Sequence, residues 1–99
     1  MMKRYKKIFL TYHNLSQADF IECAVCTSEA VDIHHISGRP MGNKSDRYDV
    51  VENLIPLCRD CHDKAENEKI TKQECKEYLF LWSKKIKSFL DYKAIINFK

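Results

Sequence analysis

The chain has 99 residues, 44% of them hydrophobic, and a formal charge of +3 from 17 basic and 14 acidic side chains. That length predicts a single domain spanning residues 1–99 with a modest core, a size at which a metal or disulfides often supplement hydrophobic burial. Two glycines and two prolines exclude a linker-rich or disordered chain, and so small a positive excess is compatible with an anionic partner without arguing for one.

The basic run Lys3-Arg4-Tyr5-Lys6-Lys7 is followed by only three apolar residues, Ile8-Phe9-Leu10. This is too short for a signal sequence, and nothing approaches a membrane span. The expectation is a cytoplasmic protein with reduced thiols and no membrane partner. Tyr5, Ile8, Phe9 and Tyr12 recur at helical spacing and predict a helix over residues 3–12. Asn14-Leu15-Ser16 breaks it, and Ser16 with Asp19 has the spacing of a capped turn. His13 reads as a surface residue.

Residues 30–36 (AVDIHHI) predict a strand, followed by a polar, basic loop from Gly38 to Asp49. Leu54-Ile55-Pro56-Leu57 is a short apolar run whose proline suits only an edge strand. Arg59 to Asn67 contains no breaker and predicts a short helix. Thr71 and Glu74 form a capping box. Beyond them Cys75, Tyr78, Leu79, Trp82, Ile86, Phe89 and Leu90 share one face of a helix over about residues 71–92. Core packing is the expected role of its aromatics. Phe80 and Leu81 lie off that face, where either a homodimer contact or a wider monomer core accounts for them.

The five cysteines are two CxxC pairs, Cys23/Cys26 and Cys58/Cys61, plus Cys75. An odd count without a secretory signal argues against a disulfide framework. Two CxxC pairs supply four thiolates, the donor set of a closed tetrahedral zinc site. The 31 residues between the pairs exceed the usual ribbon spacing of about 15–20, so the strand and basic loop form a substantial insert. Cys75 is expected to be a small buried hydrophobe.

His62 directly follows Cys61, and successive helical side chains diverge by about 100°. If Cys61 faces the zinc, His62 faces elsewhere, toward the hairpin carrying His34 and His35. The chain therefore offers a second cluster: His34, His35 and His62, with Asn53 at the base of the second strand. Strand alternation points His34 and His35 in different directions, so the two imidazoles can hold separate jobs. Asp32 shares the face of His34 and is expected to accept its second ring N–H, a contact that fixes the tautomer of that ring.

The order CxxC, DIHHI, GR, basic loop, ENLIPLC, CH resembles the HNH endonucleases in their zinc-stapled form. The GRPMGNK loop is similar to loops of small phage-encoded members. The resemblance covers residues 23–66 and implies a ββα-metal (His-Me finger) core. With the helical flanks that periodicity predicts over 1–22 and 67–99, which the resemblance does not cover, the expected fold class is α+β. It implies a metal-dependent endonuclease that hydrolyses DNA phosphodiester bonds, by nicking or double-strand cleavage. In that reading His35 is the general base and Asn53 orients it or supports the loop. His34 and His62 hold the catalytic divalent ion, and Cys23, Cys26, Cys58 and Cys61 hold a structural Zn²⁺. His34 departs from the aspartate of many members. Two imidazoles are softer ligands than an Asp-Asn pair, so among Mn²⁺, Ni²⁺, Mg²⁺ and Zn²⁺ a transition metal is expected to serve better than Mg²⁺. Arg39, Lys44 and Arg47 are the expected phosphate contacts. DNA is the implied partner, within a homodimer or a larger phage or DNA-processing complex. The rival readings are a non-catalytic zinc-stabilised module that binds DNA or protein, and a redox or metal-storage protein.

Overall fold

A computed structural model of the chain describes residues 3–37 and 48–97, with side chains through Lys87. The order is α1 (Arg4–Tyr12), β1 (Asp32–His35), a 3-10 turn (Val51–Asn53), β2 (Leu54–Leu57), α2 (Arg59–Glu66) and α3 (Lys72–Asn97). Among the described residues it is a small α+β fold with two antiparallel strands and three α-helices, in agreement with the expected class. Arg39, Lys44 and Arg47, together with the GRPMGNK loop, lie outside the described residues.

α1 stops at Asn14, which takes the left-handed conformation at φ 56° and lets Leu15 N–H donate to Leu10 O at 2.9 Å. The turn beyond forms as its residues suggest: Ser16 N–H donates to Asp19 Oδ2 at 2.7 Å. The buried stripe of α1 differs from the expected one. Phe9 and Leu10 are in the core, whereas Tyr12 is 69% exposed. His13, expected at the surface, is buried against Phe9, Tyr12 and Trp82. It lies four residues after Phe9, one helical turn on, and so continues the apolar stripe.

β1 and β2 pair in the register Asp32 with Leu57, Ile33 with Pro56, His34 with Ile55 and His35 with Leu54. Pro56 is tolerated because β2 has one neighbour in the sheet. Its carbonyl accepts from Ala24 N at 2.9 Å, which ties the first CxxC turn to the hairpin. All four residues of β2 are buried. The core around them combines Phe9 and Leu10 of α1 with Leu79 and Trp82 of α3, and Phe9 stacks on Trp82 at 5.4 Å. Full burial of a side chain such as Phe9 is worth about 1.5–3 kcal/mol, so its packing on Trp82 helps hold α1 against the core.

The capping box closes reciprocally at α3: Thr71 N–H donates to Glu74 Oε1 at 3.0 Å, and Glu74 N–H to Thr71 Oγ1 at 3.1 Å. The helix runs 26 residues, past the expected end near residue 92, because no Gly or Pro interrupts its C-terminal half. Cys75, Leu79 and Trp82 are buried along it, while Phe80 and Leu81 are exposed.

Candidate functional site

The four paired cysteines converge. One sulfur from each of Cys23, Cys26, Cys58 and Cys61 lies within 4.8 Å of the other three, and Cys26 Sγ is 3.4 Å from Cys58 Sγ. Tetrahedral zinc with Zn–S bonds near 2.3 Å separates its sulfurs by about 3.8 Å, so the cluster is compatible with a zinc site. Local backbone builds it. Thr27 adopts φ 67°, and the chain folds back so that Cys23 N–H donates to Ser28 O. Cys58 caps α2, its sulfur accepting from Cys61 N–H at 3.5 Å. Hydrogen bonds from Ser28 lower the Cys26 thiol to about 6, whereas burial raises those of Cys58 and Cys61. Ligation must therefore displace protons from the latter pair. Cys75 is buried apart from this group and its thiol is raised by burial, in keeping with a packing role.

A second cluster sits where β1 meets α2. Cys61 turns into the core, and His62, next along the helix, turns toward the strand. Ligand atoms of His34, His62 and Glu66 lie within 4.8 Å of one another. The rings of His34 and His62 meet edge to face at 4.9 Å. Glu66 Oε1 is 3.1 Å from His62 Nε2 and 3.7 Å from His34 Nδ1. Burial and the neighbouring His62 lower the pKa of His34, which keeps its imidazole neutral and able to donate a lone pair at neutral pH. Two nitrogens and one carboxylate oxygen form a donor set suited to a divalent transition metal.

Glu66 was not among the expected ligands. Its position four residues after His62, on the same face of α2, is the sequence signal that marks it. Asp32 also differs from expectation. Its Oδ2 lies 3.1 Å from His62 Nδ1 rather than on His34. It shares a face with His34, but α2 brings His62 across that face. Carboxylates thus flank both ring nitrogens of His62, Asp32 at Nδ1 and Glu66 at Nε2. A carboxylate only accepts, so with Nε2 given to a metal Asp32 would hold the remaining proton on Nδ1.

His35 points the other way from β1, yet it lines a cleft of about 830 Å³ together with His34, His62, Glu66, Tyr5 and Lys72. Its Nε2 pairs with Asp49 Oδ1 at 2.9 Å, and the Asp49 side chain is fully buried. Arg4 reaches the second Asp49 oxygen at 3.1 Å. The Tyr5 ring packs at 69° to the His35 ring with centroids 4.5 Å apart. Asn53 does not touch these groups directly. Its Oδ1 accepts from Ser37 N–H at 2.8 Å and its Nδ2 donates to Tyr48 O at 3.0 Å, so it clasps both ends of the intervening loop.

Residues 23–68 match the model of the HNH endonuclease family. The clustered cysteines and the hairpin-helix arrangement fall within that segment, and the match supports a nuclease-type function in general. No curated protein and no solved structure matches the chain. Among the described residues, no helix is long and apolar enough to cross a membrane.

Proposed function

We propose that this protein is a metal-dependent endonuclease that hydrolyses DNA phosphodiester bonds. The observation that carries the reading is the cluster of His34, His62 and Glu66 in one cleft with His35, a histidine outside that donor set. A module that used only the four cysteines would leave that constellation without a purpose.

His34, His62 and Glu66 would hold a divalent ion, with Asp32 fixing the tautomer of His62. When bound, the ion supplies positive charge against the pentavalent phosphate and the departing 3′ oxygen. His35 takes a proton from a water molecule, whose oxygen forms the new bond to phosphorus while the P–O3′ bond breaks. The leaving oxygen keeps the electron pair of that bond and is protonated from solvent. Asn53 acts at one remove, by setting the two ends of the loop beside the cleft. Zinc on Cys23, Cys26, Cys58 and Cys61 would clamp the CxxC turn to the start of α2. The same turn of helix carries His62, so the structural ion also aims a ligand of the second site. The donor set, with two imidazoles, favours Mn²⁺ or Ni²⁺ over Mg²⁺.

The test is nicking of supercoiled plasmid by wild type and His35→Ala in Mg²⁺, Mn²⁺ and Ni²⁺, with chelator controls. Metal-dependent nicking, lost in a folded His35→Ala protein, is the expected result. Zinc-loaded protein that nicks in none of these metals would leave the binding-module reading standing instead.

A further inference from the structure

We infer that Asp49, held by Arg4 from α1, is a positioning residue that fixes the ring and the tautomer of His35. The inference rests on the reading of His35 as the base. Asp49 is fully buried, and its two oxygens face different partners: Oδ1 meets His35 Nε2 at 2.9 Å and Oδ2 meets Arg4 at 3.1 Å. A carboxylate has no proton to give, so it accepts N–H from Nε2. The proton of a neutral His35 is thereby fixed on Nε2, and Nδ1 carries the lone pair that takes the proton of water. Tyr5, edge-on to the same ring, removes the freedom of the imidazole to rotate away.

Three features separate this from an incidental ion pair. Asp49 lies beside the anchor point of Asn53 at Tyr48 O, so its backbone is fixed by the residue that clasps the loop. Arg4 and Tyr5 are consecutive residues of α1 and engage the Asp49–His35 pair from both members. Both lie outside the segment 23–68 that carries the nuclease-type family match. The base of this protein thus draws its orientation from an N-terminal helix that the family segment does not contain.

The direct test is the tautomer of His35, read by long-range ¹⁵N–¹H NMR on zinc-loaded protein at a pH where its imidazole is neutral. Wild type should carry the proton on Nε2. In Asp49→Asn, Arg4 can only donate and so takes the amide oxygen. The amide NH₂ then faces Nε2, and the proton should move to Nδ1. Plasmid nicking by the same variant should show kcat lower by about 100-fold or more with KM within about 2-fold, since the wrong tautomer removes the base without touching DNA binding. A wild-type His35 protonated on Nδ1 would overturn the inference, whether or not the variant folds. So would an Asp49→Asn protein that keeps both the Nε2 tautomer and full kcat. If wild type fails to nick DNA at all, the nuclease reading falls, while the tautomer still decides what Asp49 does.

Discussion

His13 offers a perturbation whose size follows from its surroundings. It is 8% exposed, ringed by Phe9, Tyr12 and Trp82, and its Nε2 has no hydrogen-bond partner among the described residues. Burial lowers its pKa from 6.5 to about 4. Between those values the unfolded chain binds a proton that the folded chain refuses, so stability falls as pH drops through this window. The whole shift corresponds to about 3 kcal/mol. Between pH 7.5 and 5.5 the linkage relation gives a loss of about 1.3 kcal/mol from this group alone. The assay is denaturant unfolding of wild type and His13→Phe, both with excess zinc, at the two pH values. His13→Phe keeps a ring in the aromatic cluster and removes the titration. Losses from zinc release and from other groups are common to both proteins, so the difference between their pH responses isolates His13. Wild type should lose about 1.3 kcal/mol more than the variant over this interval. Parallel responses would refute the assignment of His13 to the core.

Asp32→Ala should weaken the second metal site by about 10- to 100-fold while leaving tight zinc binding intact, as read by calorimetric titration with Mn²⁺ or Ni²⁺; unchanged affinity would count against its role on His62. Glu66→Ala should also reduce that affinity, and no change would restrict the donor set to the two imidazoles. Cys58→Ser removes one of four thiolates and the cap of α2, and is expected to abolish stoichiometric zinc and the helical circular dichroism of the folded state. Asn53→Ala loses two hydrogen bonds worth about 1 kcal/mol each. It should lower stability by about 2 kcal/mol in denaturant unfolding and cut nicking further than the folded fraction accounts for.

Much of this architecture is legible in the sequence because local signals and tertiary structure agree. The two CxxC pairs, the Thr71–Glu74 box and the apolar run with an edge proline each led to the element that forms. Glu66 was readable too, by helical spacing from His62, as was His13 by its spacing from Phe9. Asp49 was not. Its partner His35 lies 14 residues away across the loop and Arg4 lies 45 away, and no periodicity or motif spacing marks a contact made by separate elements packing together. Asp32 shows the intermediate case. Alternation gave the correct face of β1, but which histidine it meets depends on how close α2 approaches.

The reach of α1 to His35 bears on portability. A segment cut at residues 23–68 and grafted into another protein would bring all the cysteines of the zinc cluster, along with His34, His62 and Glu66. It would arrive without Arg4 and Tyr5, and Asp49 would lose the Arg4 guanidinium that meets its Oδ2. Such a graft should take up both metals and still cleave poorly. Designers using this unit as a cleavage module would need to carry the first helix with it, or build a donor for Asp49 into the host.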